Sequence, residues 1–107
     1  MRDIPLGTFE ELVLLAIGVL AENAYSISVK NLLAESTGRS PSIGALHTAL
    51  NRLEKKGFIT SHDSEATAER GGRRKRMYTI TAIGKQVLVE AKTLRDSLLY
   101  QIPDLQL

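Results

Sequence analysis

From Leu12 to Ala21 the chain reads LVLLAIGVLA, ten residues without a charge. A surface helix carries one apolar stripe, so a segment apolar on every side predicts a helix covered from more than one direction. TFEE in front of it places Thr8 as N-cap and Glu11 three residues later, the spacing of a capping box. Asn23 closes the segment. A second helix spans roughly Ser26–Ser36, with Val29, Leu32 and Leu33 on the i, i+3, i+4 stripe and Lys30 and Glu35 pointing away. Thr37-Gly38 ends it. The third helix runs from about Ser42 to Lys56. Ser40 or Ser42 caps it, and Pro41 suits its first turn. Ile43, Leu46, Leu50 and Leu53 step by 3, 4 and 3 and form one narrow apolar seam. Lys55-Lys56-Gly57 stops the helix, with cations at its negative end and glycine after it.

The period then falls to two. FITSHD and RMYTI are rich in β-branched and aromatic residues and read as strands, with Tyr78 and Ile80 on one face. SEATAERGGRRK between them is polar and contains glycine, which makes a hairpin with a long tip. Thr81 caps a last helix, about Ala82–Gln101, before Pro103. Its Val87, Ala91, Leu94 and Leu98 step by 4, 3 and 4, a seam of about two heptads suited to another helix. The expected fold is mainly α with a small β-hairpin (α+β): a winged helix-turn-helix with an added C-terminal dimerisation helix. The chain reads as one domain, with residues 8–80 as the winged helix-turn-helix and 81–101 as the pairing helix. The dimer interface is expected at Leu12, Leu15 and Val19 of the first helix and Val87, Ala91, Leu94 and Leu98 of the last.

The order places the third helix where a helix-turn-helix protein carries its recognition helix. At about 100° per residue, Ala45, Thr48, Arg52 and Lys55 face away from the seam, with Gly44 and Asn51 beside them and His47 on the flank. Asparagine can read adenine and arginine guanine, and either can hold phosphate instead. A solvated surface helix explains this face equally well. The hairpin tip changes the balance. Net charge is only +2, yet Arg70, Arg73, Arg74, Lys75 and Arg76, five of fourteen basic residues, crowd beside Gly71-Gly72. Such crowding costs self-repulsion and points to an anionic partner. A DNA backbone or narrow minor groove fits best. RNA or an acidic protein, met through the same basic wing, is the alternative.

Other function classes find little support. With 107 residues and 43% hydrophobic content the chain is a folded domain. It has no cysteine, which excludes disulfides, thiolate metal sites and cysteine nucleophiles and fits the cytoplasm. MRDIPLGTFEE is not a secretory signal, and an apolar run of ten falls short of the roughly 20 residues of a bilayer span. His47 and His62 lie on different elements with no partner at ligand spacing, so no metal site is expected. Ser26, Ser36 and Ser61 lie in no nucleophile elbow, and RGGRRK lacks the spacing of a P-loop. No catalytic residue, cofactor or enzyme activity is expected.

LGTFEELVLLAI, AYSISVKNLLAESTGRSPSIGALHTALNRLEKKGFI and ERGGRRKRMYTITAIGKQVL together resemble the PadR family of bacterial transcriptional regulators, from Leu6 to about Leu88. The resemblance implies a winged-helix homodimer, paired through its first and last helices, that binds a palindromic operator in double-stranded DNA and represses transcription. It further implies release from DNA by a small hydrophobic effector or another signal. On this sequence it assigns Ser42, Gly44, Ala45, Thr48 and Arg52 to the recognition helix and Arg70, Gly71, Gly72 and Arg73 to the wing. His47 stands where the family usually has tyrosine; histidine keeps a polar ring and is able to make a contact there pH-dependent. Ser26 replaces a common glycine, Arg74 a frequent proline and Met77 a frequent aromatic residue. The last helix is short, as in a minimal member.

Overall fold

The computed structural model describes residues 5–64 and 74–105. In chain order these form α1 (Thr8–Leu20), a single 3-10 turn (Ala21–Asn23), α2 (Ser26–Thr37), α3 (Ile43–Lys55), β1 (Ile59–Asp63), β2 (Arg76–Ile80) and α4 (Ala82–Tyr100). α1 is the central element and touches α2, α3, α4 and β2, which is why its sequence is apolar nearly all round. Val13, Leu14 and Ile17 on α1 meet Val29 on α2 and Leu46 and Leu50 on α3 in one core. The strands pair antiparallel, from Ile59 opposite Ile80 to Asp63 opposite Arg76. Ile59 and Tyr78 are buried and bring the base of the hairpin into that core. The Tyr78 N–H also donates to the Ala24 carbonyl at 2.8 Å, tying β2 to the α1–α2 connection.

Helix ends follow local chemistry. The Ser42 hydroxyl accepts from the Ala45 N–H at 3.1 Å and caps α3. At its other end Gly57 takes φ +79, in the region that favours glycine, and the Phe58 N–H returns to the Leu53 carbonyl at 3.0 Å. The turn this makes is bound to the start of α4. The Thr81 N–H donates to the Phe58 carbonyl at 3.0 Å, and the Thr81 hydroxyl to the Gly57 carbonyl at 2.7 Å. The same hydroxyl accepts from the Gly84 N–H at 3.0 Å, which caps α4. Gly84 lies so close that a Cβ there would come within 2.3 Å of the Phe58 carbonyl oxygen.

Several details depart from the sequence expectation. The cap of α1 is Gly7, not Thr8, and the carboxylate that reaches back is Glu10, which accepts from the Gly7 N–H at 2.9 Å. Glu11 is drawn to α4 instead, where Arg95 binds it. Ile43, the first residue of α3, is 47% exposed and leaves the seam; Ala49 is buried in its stead. The heptad seam assigns Val87 and Ala91 to a partner. They are instead buried within the chain itself, with Val87 part of the common core. α4 lies against its own α1, and the Glu11–Arg95 pair extends that contact further along α4. Of the residues expected at the interface, Leu12, Leu15 and Val19 on α1 and Leu98 on α4 stay open, and Leu94 is half-buried.

Glu10 is the buried acid among the described residues. Its Oε1 accepts from Lys56 Nζ at 2.8 Å, and the same ammonium donates to the Pro5 carbonyl at 2.9 Å. Burial alone would raise the Glu10 carboxyl. The Lys56 and Gly7 hydrogen bonds, with the charges of Lys56 and Arg52, outweigh burial and hold it below its ordinary value of 4.5.

Gly84→Ala is expected to cost roughly 2–4 kcal/mol in denaturant unfolding, since backbone rather than a flexible side chain blocks the methyl group. Because the folded-state pKa of Glu10 is lowered, its contribution is full above 4.5 and is lost as pH falls through the folded value. Lys56→Met should therefore lower stability by about 1–3 kcal/mol at neutral pH, with the gap to the parent closing in acid. A gap that stays constant down to pH 3 would refute this reading of the pair.

Candidate nucleic-acid interface

α3 turns Leu46, Ala49, Leu50 and Leu53 inward, and that choice fixes what faces out. Gly44, Ala45, His47, Thr48, Asn51, Arg52 and Lys55 are all exposed. The capping residue Ser42 is exposed as well, at the positive end of the helix dipole. Nothing lies within 4 Å of the place a Cβ would take on Gly44. No packing within the chain calls for glycine there, so it leaves bare backbone on the face. The Thr48 hydroxyl donates to the Gly44 carbonyl at 3.0 Å. With its proton engaged, that oxygen can act outward only as an acceptor, beside an exposed methyl group of the kind that meets thymine. Arg52 and Lys55 form no ion pair with the described residues. Thr48, Asn51, Arg52 and Lys55 line a cleft of about 500 Å³ together with Glu54.

The basic wing is only partly free. Arg70, Gly71, Gly72 and Arg73 lie outside the described residues. Among the rest, Lys75 Nζ is 4.1 Å from the centre of the Tyr25 ring, a cation–π contact. Arg76 Nη1 is 3.5 Å from Asp63 Oδ1 across the strands, with both side chains more than half exposed. Arg74 is exposed and has no such partner among the described residues. The expectation that every cation from Arg70 to Arg76 faces phosphate is therefore too broad. Lys75 and Arg76 also hold the wing to itself and to the body. Burial pushes the Tyr78 hydroxyl above its ordinary range, opposed by Arg76 and reinforced by Glu54, so the rung opposite Ser61 carries no charge.

His47 lies on the exposed flank of α3, and His62 on β1 opposite Met77. The two histidines are not brought into one site. Tyr25, Glu54 and Ser61 are the residues near the interface that sequence reasoning passed over. Ser61 Oγ donates to Glu54 Oε2 at 2.6 Å. No spacing signals these contacts, because each joins separate elements.

The sequence profile of the transcriptional regulator PadR-like family matches residues 14–90, from the core of α1 through the first half of α4. The chain belongs to this family. PadR-like proteins are DNA-binding transcriptional regulators, and the chain is such a regulator. Solved structures share the fold. A PadR-like transcription factor from Bacteroides fragilis superposes with a TM-score of 0.75 at 23% identity, covering 86% of this chain and 84% of its own. A PadR-like regulator from Bacillus cereus gives 0.69 at 24%, covering 86% and 84%. A complex structure of RosR from H. salinarum gives 0.70 at 25%, covering 96% and 85%. No curated protein is significantly similar in sequence.

A substitution at Gly44 tests stability and DNA binding separately. Gly44→Ala fills open space in a helix and should raise unfolding stability by up to about 1 kcal/mol, while the added methyl group weakens affinity for duplex DNA. Thermal unfolding and duplex titration of the same variant check the two halves.

Proposed function

We propose that this PadR-like chain is a repressor that binds a palindromic operator as a homodimer. The observation that carries the reading is the α3 face, where Thr48, Asn51, Arg52 and Lys55 stand around one cleft beside a basic hairpin. Two such helices would enter successive major grooves about 34 Å apart. Near the helix start, Gly44 and Ala45 allow close approach, and Ser42 and its neighbours offer N–H groups to a phosphate. Thr48 and Asn51 are suited to base edges, with His47 beside them, while Arg52 and Lys55 reach base or backbone. Arg74, with Arg70 and Arg73 of the tip, would neutralise flanking phosphates. In this division residues 8–80 bind DNA and 81–101 pair the subunits.

Pairing is supported by the apolar surface one chain leaves open. Val19 is 72% and Leu98 55% exposed, with Leu12 and Leu15 on the same helix as Val19. A second copy that covers α1 with its own α4 would bury both sets, with Leu94 between them. A small hydrophobic effector has candidate room in a crevice of about 280 Å³ floored by Phe9, Leu12 and Leu33. That crevice reaches the turn before α3, so occupancy there would bear on the position of the recognition helix. No helix among the described residues is long and apolar enough to cross a membrane, and the proposed site of action is the cytoplasm, on DNA.

Selection from random duplex DNA tests the reading. The expected product is an inverted repeat with half-sites one helical turn apart. Enrichment of no motif, together with retention of RNA or an acidic protein, would favour the interaction-module alternative. Thr48→Ala or Arg52→Ala should change the enriched bases. Arg74→Ala should weaken all duplexes and flatten the dependence of log K on log[salt] by about one unit for each phosphate no longer neutralised. Leu15→Asp with Val19→Asp should convert a dimer seen by light scattering into a folded monomer, and a parent chain that is monomeric at micromolar concentration would defeat the dimer assignment.

A further inference from the structure

A wing contributes to binding only if its direction relative to α3 brings the basic tip onto the DNA backbone. Core packing through Ile59 and Tyr78 fixes the base of the hairpin. Its outer end is outside the core: His62, Asp63, Lys75 and Arg76 are all exposed. Two contacts reach toward this outer part. On β1, Ser61 Oγ donates to Glu54 Oε2 at 2.6 Å, and Glu54 belongs to α3. On the other strand, Lys75 lies 4.1 Å over the ring of Tyr25, the residue that leads into α2. Lys75 also closes the last described rung. Its N–H donates to Ser64 Oγ at 2.9 Å, and the Ser64 N–H donates to its carbonyl at 2.7 Å. One contact therefore ties the wing to the recognition helix and the other to the helix before it.

Glu54 repels a phosphate, and the ring face of Tyr25 is engaged within the chain. The Tyr25 ring already holds a cation. Glu54 places a carboxylate in the very cleft that must approach a polyanion, which weakens affinity unless the group does something else. We propose that Glu54 and Tyr25 are positioning residues: they brace the wing from two sides and set its angle to α3, and so set how many phosphates the wing can neutralise. This inference rests on the DNA-binding reading above.

The test uses the full chain and a duplex selected by the parent protein, titrated over a series of salt concentrations. Ser61→Ala removes one brace without changing any charge. Tyr25→Leu removes the other and leaves Lys75 cationic. Each should make the slope of log K against log[salt] shallower by about one unit for each phosphate the wing ceases to neutralise, and the double variant more so. The motif enriched from random duplex should stay that of the parent, because α3 is untouched. Tyr25→Phe keeps the ring and Ser61→Thr keeps the hydroxyl, so both should restore the parental slope. A freed Lys75 cannot imitate the result, since an added phosphate partner steepens the slope. Parental slopes in both Ser61→Ala and Tyr25→Leu would overturn the proposal. So would a lower melting temperature with an unchanged slope, which marks plain destabilisation. A parent chain that selects no duplex, or binds DNA without salt dependence, would overturn the DNA reading itself, and that outcome is visible before any variant is made.

Discussion

The close approach of Gly84 to the Phe58 carbonyl is the constraint from which much of the arrangement follows. A Cβ would come within 2.3 Å of that oxygen, so helix and turn meet backbone to backbone. Thr81 completes the junction by donating to both Gly57 and Phe58 while capping α4. α3 ends on one side of this junction, the returning strand arrives on another, and α4 departs from the third. A shift of α4 therefore cannot leave the end of α3 where it is. In the proposed homodimer the two α3 helices would have to match the spacing of DNA, and a rigid link between α3 and the proposed pairing helix would serve that need.

Charge is partitioned in a comparable way. The sequence carries fourteen Lys and Arg against twelve Asp and Glu, which says little by itself. The fold uses part of that supply internally. Lys56 joins the end of α3 to α1 through Glu10, Arg95 joins α4 to α1 through Glu11, and Lys75 and Arg76 are engaged at the wing. Arg52, Lys55 and Arg74, by contrast, form no ion pair with the described residues. A protein with a modest net charge can thus present a locally positive surface to DNA.

The apolar surface tells the complementary story. α1 is covered on most sides within one chain, yet Leu12, Leu15 and Val19 stay open, and α4 runs on to Leu98, Leu99 and Tyr100 with little over them. A domain of this size has a modest core. Burying that remaining surface in a second copy would add stability and fix the separation of two recognition helices in the same act. Packing therefore supports the proposed homodimer, as does the proposed palindromic operator.

Local sequence is enough to set the elements. Periods of 3.6 and 2 are intrinsic to helices and strands, so α2, α3, β2 and α4 begin and end close to where spacing and capping residues place them, and Ser42 and Thr81 cap as their neighbours dictate. The outward face of α3 is legible for the same reason: once Leu46, Leu50 and Leu53 point inward, the positions of Thr48, Asn51, Arg52 and Lys55 follow geometrically. What lies between elements is settled by the fold. Which of two adjacent glutamates caps α1 depends on Lys56 and Arg95, residues 46 and 84 positions away from their partners. A heptad seam names an apolar stripe but not its occupant, and α4 packs Val87 and Ala91 within its own chain before any partner arrives. Composition could place five cations in the wing. Only the folded chain could assign Lys75 to Tyr25 and Arg76 to Asp63, because a charge finds its partner through space and not along the chain.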